Sequence, residues 1–249
     1  MHNNHSFCRD MARNKILISI CLMLLSLTTM AEIGQPRNNL CIGANAGIAM
    51  NTVDFDPTIK QKQHLGPTVG LSMKYTSEKY FTTYCALYCE LNYTKLGWKE
   101  DIRDQNSLPL PDSYSRDINY IQLPIFARLA WGKENKGLQF FFQVGPQFGF
   151  CIGESAKQST QWTLDDSGKP SRPNNVYEQY QKDVEHKFDY GITGGLGLEY
   201  NSPIGHFILE GRYCYGLGDM FGNSKKDPFA RSANSTIFIK MAYLFDLKR

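Results

Sequence analysis

The chain has 249 residues, of which 42% are hydrophobic and 13% aromatic, with 27 basic and 24 acidic side chains. A mean hydropathy of −0.39, with no second apolar run of about 18 residues, excludes a bundle of membrane-crossing helices. The aromatic content excludes a disordered chain, and a net charge of +3 gives no electrostatic case for a nucleic-acid partner.

Arg13 and Lys15 precede the apolar run Ile16 to Leu27, and small residues follow at Thr29 and Ala31. A basic start, a short apolar stretch and a small-x-small site make a cleaved secretory signal over residues 1–31. The run is too short to span a bilayer comfortably. Both Met1 and Met11 are compatible with the start of that signal. Residues 32–249 then form one domain, with Cys41, Cys85, Cys89, Cys151 and Cys214 remaining. An odd count without metal-ligand spacing is not a disulfide framework. Cys85 and Cys89, about 13 Å apart on an extended strand, cannot bridge each other.

From residue 40 onward the hydrophobic pattern has period two, the signature of strands. Eight segments alternate in this way: 40–50, 65–76, 81–94, 120–131, 138–152, 187–200, 207–217 and 234–245. In the first, Leu40, Ile42, Ala44, Ala46, Ile48 and Met50 share one face, and Cys41, Gly43, Asn45, Gly47 and Ala49 the other. Connections alternate in length. Short turns are expected at Ser77–Tyr80, Gly132–Gly137 and Asn201–Gly205. Long polar stretches fill Asn51–His64, Lys99–Asp117, Gly153–His186 and Gly218–Arg231.

Short turns at one end, long loops at the other and an even strand number describe an all-β, eight-stranded antiparallel up-and-down transmembrane β-barrel. The apolar face carries aromatics near strand ends (Tyr75, Phe81, Tyr93, Trp131, Tyr200, Tyr243, Phe245), as interfacial girdles do. The other face is rich in Gly, Ala, Thr and Gln. A soluble lipocalin-like binding barrel is the remote alternative, with the same alternation turned inside out. Pro67, Pro124 and Pro146 each remove a ladder donor, so a bulge or a strand end is expected near each.

These architectural segments carry a resemblance. Ile42-Gly43-Ala44-Asn45-Ala46-Gly47, His64-Leu65-Gly66-Pro67-Thr68-Val69-Gly70, Tyr120-Ile121-Gln122-Leu123-Pro124-Ile125, Phe188 to Tyr200, Glu210-Gly211-Arg212-Tyr213 and Met241-Ala242-Tyr243-Leu244-Phe245 are similar to the eight-stranded outer-membrane barrels common in Bacteroidota, of porin-family or PorT-like type. Many such barrels end on an aromatic, whereas Asp246 to Arg249 follow Phe245 here. The resemblance implies the outer membrane of a Gram-negative bacterium, with membrane lipid and the barrel-assembly machinery as partners. It also implies a possible accessory role in protein secretion, and it transfers no catalytic residue.

The inward face carries Lys74, Glu90, Arg128, Lys187, Asp189, Glu199, Glu210, Arg212 and Lys240. An eight-stranded interior is just wide enough for side chains to fill, and buried charges must be paired. An ion-pair network plugging the lumen is the expected use, and a narrow small-solute pore the alternative. Inward glycines make room for Tyr, Phe and Arg from facing strands. No residue is expected to be catalytic, cofactor-binding or metal-binding, and the chain reads as non-enzymatic. His64, His186, Asp189 and Asp219 fall near loop ends as the nearest approach to a rim acid–base pair. Asn92 and Asn234 match the glycosylation pattern but sit within strands. Recognition of an envelope protein or a glycan belongs to the loops, above all Gly153–His186, which holds Trp162, Asp165, Asp166, Lys169, Arg172, Tyr177 and Tyr180.

Overall fold

The computed structural model describes residues 34–173, 176–180 and 182–248, without the side chain of Lys248. The expected signal and the choice between Met1 and Met11 therefore lie outside the described residues. The strands are β1 (Gln35–Asp56), the two-residue β2 (Gln61–Lys62), β3 (His64–Tyr80), β4 (Thr83–Glu100), β5 (Tyr114–Gly132), β6 (Gly137–Gln158), β7 (Phe188–Ser202), β8 (Gly205–Asp219) and β9 (Arg231–Lys248). Strand β2 pairs with the end of β4. The eight long strands follow one another around a ring, with β4 paired to β5 and β1 lying between β3 and β9. The register from Cys41↔Asp246 to Asp56↔Arg231 joins first strand to last. Closure removes every edge that would otherwise leave backbone donors and acceptors unpaired in lipid.

The outward face is an apolar band. Leu71, Leu91, Leu123, Phe142, Leu196, Leu209 and Ile239 are all exposed, while their strand neighbours Ser72, Glu90, Gln122, Gln143 and Lys240 are buried. A soluble lipocalin-like barrel would need the inverse arrangement, so that alternative fails. Among the described residues no helix is long and apolar enough to cross a membrane; the crossing is made by strands.

Polar tips of the outward aromatics mark the band's edges. Trp131 Nε1 donates to Thr83 Oγ1 at 2.8 Å and Tyr75 Oη to Asn38 Oδ1 at 2.8 Å, near the short turns. Tyr93 Oη donates to Asn119 Oδ1 at 2.9 Å near the long loops. Between them the run Ile121–Trp131, at about 3.3 Å per residue and a tilt of about 40°, covers about 25 Å, the height of a barrel's lipid band.

Several details differ from the sequence expectation. The first short turn is Phe81–Thr82, not Ser77–Tyr80. An irregularity between Thr76 and Glu78 adds one residue to β3, and pairing then continues to Tyr80↔Thr83. Ser77 Oγ is held by Cys85 O at 3.2 Å, and Phe81, at φ 51°, takes the turn. Pro124 and Pro146 cause neither a bulge nor a strand end. Pairing lapses between Pro124↔Gln147 and Ala127↔Val144, but the register is the same on both sides. Pro146 itself sits in an unbroken ladder opposite Ile192. Pro67 lies just before the first β3–β4 pair, Thr68↔Thr94. The ladder survives because one missing donor can be absorbed without shifting its neighbours. Lys187 does not face the lumen; it is an exposed residue just before β7. The five described cysteines are free.

Candidate functional site

Ion pairs fill the middle of the barrel. Arg212 on β8 donates to both carboxylate oxygens of Glu90 on β4, at 2.8 and 2.7 Å, and pairs with Glu210 on its own strand. Lys240 reaches Glu90 at 2.7 Å. Arg128 pairs with Glu199 at 3.3 Å and Glu210 at 3.5 Å, and Lys74 closes on Glu199. The Arg128 guanidinium is sandwiched between the rings of Tyr88 and Phe141, 3.8 and 3.9 Å from their centres. Such stacking suits a weakly hydrated planar cation. Two of the inward glycines make this packing possible. A Cβ on Gly195 would lie 2.8 Å from Arg212 Cγ, and one on Gly197 would lie 2.5 Å from Phe141 Cζ.

Towards the long loops the strands outrun the lipid and their amphipathicity inverts. On β1 the outward residues change from Ala46 and Ile48 to Thr52, Asp54 and Asp56. The inward ones change from Asn45 and Gly47 to Val53 and Phe55, which are buried. On β4 the inward series Glu90, Asn92, Thr94 gives way to Leu96 and Trp98. These inward residues pack with Phe221 and Phe229 from the loop before β9 and with Val176 and Val184 from the loop before β7. Phe55 meets Trp98 edge-on at 5.3 Å between centroids and Phe229 at 5.2 Å. Interlocked aromatics of this kind form an ordinary apolar core, here in the mouth of the barrel. The polar reading of these loops therefore missed a folded cap. Its signal was present in the phase of Val53 and Phe55, which continue the inward series with opposite polarity.

A pocket of about 220 Å³ opens in this cap between the end of β4, the loops on either side of it and the long loop before β7. Glu100, the last residue of β4, accepts hydrogen bonds from Tyr180 Oη at 2.7 Å and Gln179 Nε2 at 3.4 Å. Arg172 donates to Tyr180 Oη at 3.0 Å and to Asp112 Oδ2 at 3.1 Å, and lies 4.8 Å from the centre of the Trp162 ring. Asp112 is fixed by the backbone and hydroxyl of Thr163. Burial pushes the Glu100 carboxyl above its ordinary range despite these donors. Burial, with the Glu100 charge, raises the Tyr180 phenol. Two buried atoms in the pocket wall have no partner among the described residues: Arg172 Nη2, a donor, and Gln179 Oε1, an acceptor. Unmade hydrogen bonds of this kind are costly; both atoms are shielded from solvent, so the side chains must turn into the pocket before a ligand could meet them. Lys60 and Arg103 line the rim together with Asp101, which accepts from Arg103 Nε at 2.9 Å.

Of the residues singled out in the long loop, Arg172 and Tyr180 thus line the pocket and Trp162 backs it. Asp165 instead organises its own exposed turn, accepting from Ser167 and Lys169. Asp166 and Lys169 are exposed, and Tyr177 is half-buried. Of His64, His186, Asp189 and Asp219, His186 meets Asp219, through the backbone carbonyl and not the carboxylate. His64 Nε2 lies 2.6 Å from Asp117, His186 Nδ1 3.0 Å from the Asp219 carbonyl, and Asp189 accepts from Asn234 at 3.1 Å. Asn92 and Asn234 are buried in the lumen. Glu100 and Gln179 escaped the sequence reading, since neither belongs to a motif. Among the described residues, side chains able to hold a metal converge at the opposite, short-turn mouth: Cys41, His206 and Asp246.

The family described as outer membrane protein beta-barrel domain matches residues 31–222, well over half of the sequence. The chain belongs to this family. The match takes in β1 to β8 and stops before β9, the strand that closes the ring of this outer-membrane barrel. Comparison with curated proteins gave no match. Among solved structures, similar chains include Ail, the attachment invasion locus protein of Yersinia pestis, in complex with the heparin analogue sucrose octasulfate. It is 14% identical, covers 84% of this chain and 100% of its own, and has a TM-score of 0.37. Neisserial surface protein A is 11% identical over 83% of this chain and 97% of its own, with a TM-score of 0.41. The outer membrane protein OprG from Pseudomonas aeruginosa is 11% identical over 86% and 98%, with a TM-score of 0.42.

Proposed function

We propose that this outer-membrane barrel is a surface binding protein with a closed lumen, whose loop cap recognises a small polar ligand or the exposed group of a larger one. On this reading residues 1–31 are cleaved on export, residues 32–249 form the barrel domain, the short turns face the periplasm and the cap faces outward. The observation that carries it is a pocket above an interior filled by ion pairs, lined by Arg172 and Gln179, each of which keeps one buried polar atom without a partner among the described residues. The site favours a ligand oxygen, carboxylate or sulfate among them, beside a hydroxyl or amide donor. The reading is recognition without catalysis.

The test is an array of acidic glycans and peptides probed with the refolded barrel in nanodiscs. Binding that Arg172→Ala and Gln179→Ala both weaken tenfold or more supports the reading; binding indifferent to both overturns it. The narrow-pore alternative finds no support in a lumen crossed by Arg212–Glu90 and Lys74–Glu199. An accessory role in secretion of the PorT-like kind would use the same cap for a protein partner. Co-purification with envelope machinery, lost on the same substitutions, would reveal it.

A further inference from the structure

The short-turn mouth holds a cluster that the ion-pair network does not explain. His206 on β8 is fixed through Nδ1, which lies 2.6 Å from Asn201 Oδ1 and 3.0 Å from Glu199 Oε1. Asn201 can only accept there, because its Nδ2 donates to the carbonyls of Lys133 and Glu134 at 2.9 and 3.1 Å. Nδ1 therefore carries the proton, and a neutral ring turns a bare lone pair outward at Nε2. That lone pair faces the Asp246 carboxylate at 2.9 Å and the Cys41 sulfur at 3.7 Å. Cys41 Sγ is in turn 3.1 Å from the same Asp246 oxygen. Nitrogen, sulfur and oxygen converge on one point from three strands, and a neutral imidazole beside a carboxylate leaves acceptor facing acceptor. Either a second ring proton, giving an imidazolium between Glu199 and Asp246, or a metal cation at that point resolves the contact.

We propose that Cys41, His206 and Asp246 form a three-ligand site for a borderline divalent cation of the zinc class. Tetrahedral zinc with bonds of about 2.3 Å to sulfur and about 2.0 Å to nitrogen and oxygen separates its ligand atoms by about 3.3–3.5 Å. The observed 3.7, 2.9 and 3.1 Å lie within about half an ångström of that geometry. A thiolate, an imidazole and a carboxylate together suit zinc and its neighbours better than calcium or magnesium. The Glu199–His206 contact supplies the outer carboxylate that metal-bound histidines usually have, fixing the tautomer and raising ligand basicity. An adjoining cavity of about 40 Å³, lined by Asn39, Cys41, Glu199 and His206, has room for a water as fourth ligand. On binding, Cys41 loses its thiol proton to solvent as the S–metal bond forms, with no change of oxidation state. The sequence hides the site because its three ligands are far apart in the chain and meet only on ring closure.

The test uses the whole mature barrel, refolded in detergent, titrated with Co²⁺ and then Zn²⁺. One equivalent of Co²⁺ should produce the visible bands of a tetrahedral site and a thiolate charge-transfer band, both erased by Zn²⁺. Cys41→Ser should remove the charge-transfer band, and His206→Ala should weaken binding at least tenfold. Cys214→Ser, a buried cysteine elsewhere, should change neither. Each variant's heat-modifiable gel shift establishes that it has folded. No stoichiometric binding by the folded wild type overturns the proposal and leaves an imidazolium bridging Glu199 and Asp246. Binding that survives Cys41→Ser with its charge-transfer band intact also overturns it.

Discussion

Arg212 and Glu90 stand on diametrically opposite strands of the eight-membered ring and join across the lumen through two hydrogen bonds of 2.8 and 2.7 Å. Lys74 and Glu199, on β3 and β7, repeat the relationship one strand further round. Near-complete burial, with bidentate geometry in the Arg212–Glu90 pair, makes these pairs cross-braces. Glu90 also holds Lys240, so removing it strands Lys240 and leaves Arg212 with Glu210 alone. Glu90→Ala is expected to cost about 3–5 kcal/mol, the usual penalty for an uncompensated buried charge. Glu90→Gln, which keeps hydrogen-bond capacity, should cost less. Urea titration of vesicle-inserted barrel, read by the folded band on unboiled gels, measures both. Equal stability of wild type and Glu90→Ala would show that the braces contribute nothing.

The same braces bear on permeation. Reconstituted wild-type barrel is expected to give no regular conductance steps in planar bilayers, because Tyr88, Phe126 and Phe141 are buried against the paired guanidiniums of Arg128 and Arg212. Reproducible unit steps at low protein density would contradict the closed lumen.

Strand number, faces and the inward set of charges were legible because the pleat forces a period of two and lipid enforces it on one side. What period alone could not reveal was where the lipid ends. The alternation runs on from Ile48 through Asp56 with its polarity exchanged, so Val53 and Phe55 read as parts of a polar loop. Register irregularity was equally hidden: the extra residue at Ser77 and the steady ladder past Pro124 depend on cross-strand pairing. The pocket was half visible. Arg172, Trp162 and Tyr180 stood out as cation and aromatics in a long loop, while Glu100 and Gln179 acquire meaning only once the cap folds over β4.

The lipid band makes a prediction that separates it from any soluble surface. Met73 is exposed on β3 and pairs with Cys89, itself opposite Ile125 near the middle of the band. Met73→Arg should cost about 2–4 kcal/mol in a bilayer, as charges at the midplane of barrels do. Ser155→Arg, exposed on β6 above the band opposite Asp117, should stay within about 0.5 kcal/mol, as surface changes usually do. Equal costs at the two positions in vesicle refolding titrations would disprove the assigned membrane boundary.

Glu100 gives the cap a pH dependence of definite sign. Its carboxyl is raised above the ordinary 4.5, chiefly by burial, with Tyr180, Gln179 and Arg172 only partly compensating. A raised folded-state value means that the folded cap prefers the protonated form. That contribution to stability is complete below 4.5 and is lost as pH rises through the raised value. Glu100→Gln, a mimic of the protonated acid, should therefore match wild type in acid and hold the cap more firmly at neutral pH. Amide exchange of Val176 to Tyr180 reads the difference, and comparing variant with wild type at each pH cancels the intrinsic exchange rate. If the variant protects this segment less than wild type at pH 7, Glu100 is held there as a stabilising anion and burial is not the dominant influence on it.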